Sequence, residues 1–159
     1  LLTLVDGAEI PPSLVIDYIE NWKRNYLIQC VVLDSFKLSI FSQGLEQIGF
    51  STKLKNLKIV RPLDVGRTQP VISSAFINKQ FVWGDNPMLR WATNNTKVKP
   101  YNGGTALTSE TGAYTFGKIE PKSRKNDPFM SLAHAMTEET NLKEAKEFNP
   151  NIFKARVYS

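Results

Sequence analysis

Between residues 12 and 60 the chain alternates short apolar runs with stretches of helical periodicity, and this alternation constrains the fold more than any other feature. The central run, Leu27-Ile28-Gln29-Cys30-Val31-Val32-Leu33, ends on Asp34. It is short and rich in β-branched residues, which suits a buried strand. Before it, Pro11-Pro12 and a possible N-cap Ser13 introduce an imperfect helical stripe of Leu14, Ile16, Ile19 and Trp22 that ends near Asn25. After it, Phe36, Leu38, Ile40, Phe41, Leu45 and Ile48 predict a helix from Ser35 to about Ile48, stopped by Gly49. A second short strand follows over Leu57 to Val60. Strands and helices in alternation predict an α/β fold with helices on the faces of a sheet.

The pattern continues less regularly. Residues 68–81 predict a helix entered near Gln69-Pro70, and Asn86-Pro87 reads as an N-cap with proline at the first helical position for a segment through Asn95. Asn102-Gly103-Gly104 and Gly112 interrupt two alternating runs, one around Val98 and one over Tyr114 to Ile119, as in a β-ribbon with a long tip. The last clear helix opens at Asp127-Pro128, where Phe129, Leu132, Ala133 and Met136 recur at the spacing of one buried face. Leu1 to Val5 reads as the end of a strand closed by a turn at Asp6-Gly7. The chain thus divides into a domain over residues 1–137 and a polar tail over 138–159.

Composition narrows the chemistry. A chain of 159 residues, 42% hydrophobic, supports one folded core, and its net charge of +5 mildly favours a polyanionic partner. The single cysteine, Cys30, excludes a disulfide framework and a thiolate zinc cluster, and the single histidine, His134, excludes a His-rich metal site. A metal bound here is therefore held through oxygen, which points to magnesium or manganese. No apolar stretch reaches the roughly 20 residues that cross a bilayer, and a cytosolic location is expected. There is no G-x-x-x-x-G-K-[ST] loop, and Cys30 and His134 have no third partner that the sequence identifies, so neither a P-loop ATPase nor a cysteine protease is indicated.

The candidate residues are acids beside cations. Carboxylates on different elements can hold the pair of metal ions that activates water and stabilises the leaving oxygen of a phosphodiester, and Asp34 and Asp127 are the best such pair. Each also has a plain role open to it, since an acid at a strand end or a helix start is a good N-cap. Lys118, Lys122, Arg124 and Lys125 form a basic run leading into Asp127, suited to phosphate contacts or to a solvated loop. His134, seven residues after Asp127, shares its helix face with Ser131 and suits contact with DNA, contact with a group behind the metal ligands, or solvent exposure with no role. Glu120 is either a further metal ligand or an exposed partner for Lys122 or Arg124.

Two blocks carry a family likeness: Gly84-Asp85-Asn86-Pro87-Met88-Leu89-Arg90-Trp91-Ala92-Thr93-Asn94-Asn95, and the segment from Lys118 through Asn126-Asp127-Pro128-Phe129 to Met136. In order and spacing they resemble the C-terminal nuclease domain of tailed-phage terminase large subunits. A weaker similarity covers Leu2 to Phe50, including the Asp6-Gly7 turn and the Val31-Val32-Leu33-Asp34 strand end. The resemblance implies an RNase H-like mixed sheet flanked by helices, with a β-hairpin inserted before the last helix. It also implies endonucleolytic cutting of concatemeric double-stranded viral DNA with two Mg2+ or Mn2+ ions, in the host cytoplasm.

In that pattern Asp34 and Asp127 are metal ligands; Lys118, Lys122, Arg124, Lys125 and His134 are expected to meet DNA from their own chemistry beside Asp127. A separate terminase ATPase domain, the portal and the small terminase subunit are the implied partners. The family's first catalytic acid lies on a strand upstream of Leu1, so the resemblance implies a domain lacking its first strand, with weak activity or none. Asp6 matches a turn rather than that acid. The alternative reading is a non-catalytic domain of the packaging machine that grips DNA or the portal.

Overall fold

A computed structural model of the chain describes residues 6, 9–35, 38–82, 84–101 and 114–143. The expected strand over Leu1 to Val5, the tip of the β-ribbon around Gly103 and Gly112, and most of the expected tail lie outside these residues. The described part is a mixed α/β structure. Its elements run α1 (Pro12–Asn25), β1 (Val31–Asp34), α2 (Leu38–Gln47), β2 (Leu57–Val60), α3 (Pro62–Ile77), α4 (Pro87–Asn94), β3 (Thr96–Pro100), β4 (Tyr114–Lys118) and α5 (Asp127–Met136), followed by a 3-10 turn at Glu139–Asn141.

Among the described residues the strands form two separate two-stranded sheets, β1 with β2 in parallel and β3 with β4 antiparallel. In the parallel pair Val31, Val32, Leu33 and Asp34 stand opposite Leu57, Lys58, Ile59 and Val60. Alternation along the strands then assigns each residue to a layer. Val31, Leu33 and Leu57 pack with Leu45 and Phe50, together with Ile16 and Ile19 of α1. Val32 and Val60 face the other way, into a larger cluster with Val65, Ile72, Phe116 and Phe129. Asp34 has the parity of Val32 and so turns toward this second side, where α5 lies.

Phe129 organises the larger cluster. It is 2% exposed, meets Phe116 edge-on at 4.9 Å between centroids and stacks on Phe76 at 6.1 Å. Ala133 is fully buried one turn later and Met136 packs on the same cluster, as the stripe predicts, whereas Leu132, its i+3 member, is only half-buried and belongs to neither cluster. Burial of Phe129 contributes about 3 kcal/mol in transfer free energy alone.

Several boundaries differ from those read in the sequence. The first strand spans Val31–Asp34 rather than Leu27 to Leu33 because β2 offers only four partners; Val31 N donates to Asn56 O at 2.9 Å, and Leu27 is 79% exposed. Asp34 is therefore inside the strand pair, opposite Val60. Ser13 is not the cap of α1, which starts with Pro12 after Pro11. Helix α3 begins at Pro62, six residues before the expected start, with Arg61 N donating to the Asp64 carboxylate at 2.9 Å, so Pro70 lies inside the helix. The end of α2 agrees with expectation: Gly49 takes φ of +89°, and Phe50 N donates back to Leu45 O at 2.8 Å. Asn86 also caps α4 as expected, its Oδ1 accepting from Leu89 N at 3.0 Å.

The segment expected to be a polar tail is anchored through residue 143. Gln29 Nε2 donates to Lys143 O at 2.7 Å, and Lys143 N donates to Gln29 Oε1 at 2.9 Å. Lys58 of β2 pairs with Glu138. No described helix is long and apolar enough to cross a membrane.

Candidate metal and phosphate site

Asp127 is placed by two buried asparagines, Asn95 and Asn126. Asn95, 2% exposed, closes α4; its backbone oxygen accepts from Ile119 N at 2.8 Å, and its side chain donates to Lys125 O at 3.4 Å. Asn126, also 2% exposed, donates from Nδ2 to Thr96 Oγ1 at 3.2 Å. These bonds hold both ends of the basic loop against α4 and β3. Asp127 is not the N-cap the sequence suggested: Asn126 occupies that position and Asp127 is the first residue of α5. Its exposed carboxylate makes no hydrogen bond or ion pair among the described residues.

Helical spacing sets Asp127, Ser131 and His134 along one side of α5, and strand alternation turns Asp34 toward them. All four line a single cleft of about 860 Å3. Ser131 Oγ donates to Asp127 O at 3.1 Å, as its position one turn on requires. His134 is half-buried in the cleft wall. Burial lowers its affinity for a proton below the ordinary value near 6.5, and the Asp34 carboxylate partly opposes this. Asp34 itself accepts a long 3.4 Å hydrogen bond from Ser35 Oγ.

The cations of the cleft are only partly those of the basic run. Lys118, the last residue of β4, lines it, whereas Lys122, Arg124 and Lys125 lie on the exposed loop outside. Arg124 is paired with Glu120 at 3.6 Å, and Ser123 Oγ donates to the same carboxylate at 2.6 Å. Glu120 thus acts as a surface partner, a pairing worth at most about 1 kcal/mol. Lys97 and Lys99, which the sequence reading passed over, also line the cleft. They stand two apart on β3, so they share one face of the ribbon. A lysine at every second position of a ribbon strand is the signal that identifies them, but it becomes legible only once the face opposite α5 is known.

Among the described residues no cluster of three or more His, Cys, Asp or Glu side chains is arranged to hold a metal by itself. The donors present, two carboxylates on different elements, fit a hard cation such as Mg2+ or Mn2+, which takes one or two protein carboxylates and completes its shell with water and phosphate oxygens. Cys30 does not line the cleft, and burial, reinforced by Glu138 and opposed by Lys58, pushes its thiol up from the ordinary value, so it stays protonated near neutral pH.

Comparison of the chain with protein-family models, with curated proteins and with solved structures finds no match.

Proposed function

We propose that this chain is a divalent-metal-dependent endonuclease domain acting on double-stranded DNA, of the kind found in the terminase large subunits of tailed phages, with an RNase H-like origin for its α/β layers. The observation that carries the reading is the convergence of Asp34 and Asp127, from a strand end and a helix start more than ninety residues apart, on one cleft that also holds Lys97, Lys99 and Lys118. Carboxylates beside lysines that form no ion pair among the described residues suit a site that takes a metal and a phosphate together.

In this reading Asp34 and Asp127 hold Mg2+ or Mn2+, which when bound supplies charge stabilisation for phosphodiester hydrolysis. Lys118 and the two ribbon lysines orient the DNA backbone. His134, uncharged near neutral pH, sits where it can exchange a hydrogen bond with a phosphate or a water without adding a fixed charge. The ATPase domain, portal and small subunit of a packaging machine are the partners this reading proposes, and the host cytoplasm its location.

The test is conversion of supercoiled plasmid to nicked and linear forms in Mn2+. The parent chain is expected to cut weakly, as a domain lacking its first strand implies, and Asp34→Asn and Asp127→Asn are each expected to abolish the cutting that remains. Plasmid binding with neither Mn2+-dependent cutting nor Mn2+ binding at the two acids would replace this reading with that of a DNA-gripping domain.

A further inference from the structure

The cleft does not end at the acids. A second hollow of about 460 Å3 shares Asp34, Lys99, Phe116, Met130 and His134 with the first and continues to Arg61 and Tyr101. Asp34, Lys99 and His134 thus lie where the two hollows meet, with Asp127 and Lys118 lining the first and Arg61 and Tyr101 the second. Arg61 follows β2 directly and is exposed; its backbone N–H is used in the turn into α3, while its guanidinium makes no ion pair among the described residues. Lys99 lines both hollows. Tyr101, half-buried, adds an aromatic surface at the Arg61 end.

We infer that Arg61 and Tyr101, with Lys99 at the junction, form a second DNA-binding subsite, so that a DNA strand runs through the groove with phosphates held on both sides of Asp34. The inference rests on the nuclease reading for the identity of the polyanion and extends it by placing backbone on the far side of Asp34 from Asp127 and Lys118. A guanidinium fits a phosphate through paired N–H donors, a lysine supplies a point charge, and a tyrosine ring offers a base or sugar a flat apolar contact. A groove with cations only at the Lys118 end would hold a strand terminus; cations at both ends suit a continuous strand.

The experiment measures binding of the full chain to a labelled 30-base-pair duplex in EDTA, as fluorescence anisotropy over a series of salt concentrations. Each phosphate contact on duplex DNA contributes about 0.9 to the slope of log affinity against log salt, equivalent to about eightfold in affinity at 0.1 M salt. Arg61→Ala and Lys99→Ala are each expected to reduce the slope by about that amount, Arg61→Lys to restore it, and Tyr101→Ala to weaken binding with the slope unchanged. Closed circular plasmid is expected to compete as well, per base pair, as the same plasmid linearised. Unchanged slopes in both alanine variants, circular DNA that competes poorly, or no binding by the parent would each overturn the subsite. Because these assays omit metal, loss of the subsite is distinguishable from loss of the nuclease reading, which fails on plasmid cutting and on metal binding by the acids.

Discussion

Lys99 lies across Gly117 of the neighbouring strand, so that a Cβ at residue 117 falls 2.8 Å from the lysine Cδ and 2.9 Å from its Cε. The absence of a side chain at 117 is what lets this lysine cross the ribbon toward the cleft. Gly117→Ala displaces a flexible side chain rather than backbone, so stability is expected to change by less than about 1 kcal/mol. DNA affinity in EDTA is expected to fall toward that of Lys99→Ala. Equal affinity in the parent and Gly117→Ala would show that Lys99 reaches DNA by another path.

A second close approach holds α1 to α2. A Cβ at Gly44 meets Ile16 Cγ1 at 2.8 Å and Cδ1 at 3.1 Å, and Ile16 is packed in the cluster behind the parallel strands. Alanine gains about 1 kcal/mol in helix propensity, but crowding a packed branch costs typically 1–3 kcal/mol. Gly44→Ala is therefore expected to destabilise the chain by about 1 kcal/mol in urea unfolding. A stabilised variant would show that the two helices can separate without loss.

His134 makes stability depend on pH. Its folded-state proton affinity is lowered, chiefly by burial, so the unfolded chain binds the proton more readily. The contribution is fully present above the ordinary value near 6.5 and is lost as pH falls through the lower folded-state value. Urea midpoints of the parent are expected to drop between pH 7.5 and 5.5, and part of that drop is expected to vanish in His134→Gln. An identical pH dependence in the variant would assign the loss to other groups.

Gln29 and Lys143 exchange two hydrogen bonds at an exposed position. Exposed bonds of this kind contribute about 0.5–1.5 kcal/mol each. Gln29→Ala is expected to accelerate hydrogen exchange at the Lys143 amide while leaving that of the β1 and β2 amides unchanged. Acceleration throughout the parallel sheet would mean that the segment after α5 supports the core itself.

How much of this was legible in the sequence depended on whether local chemistry decided the outcome. Leu57–Val60, the Asn86-Pro87 start of α4, the two ribbon strands and the Phe129 stripe all follow from periodicity and capping. The start of α3 was also locally encoded, because Pro62 followed by Asp64 is a helix entry, yet Pro70 drew the boundary to itself. Other features required partners distant in sequence. Leu27 to Cys30 could not be separated from the strand without knowing that β2 is four residues long. Asp34 and Asp127 were visible as candidates, but their shared cleft, and the replacement of most of the basic run there by Lys97 and Lys99, arise from the docking of α5 and the ribbon around the parallel strands.

The central claim is that Asp34 and Asp127 hold one metal site, and Mn2+-dependent stabilisation in thermal melts tests it most directly, since it needs neither DNA nor turnover. At a free Mn2+ concentration about 100 times its dissociation constant, the parent is expected to gain about 2.7 kcal/mol, or roughly 5–10 °C. Asp34→Asn and Asp127→Asn, folded without metal, are each expected to lose most of that shift. A parent that shows no shift, or a shift that survives in both variants, would contradict the account.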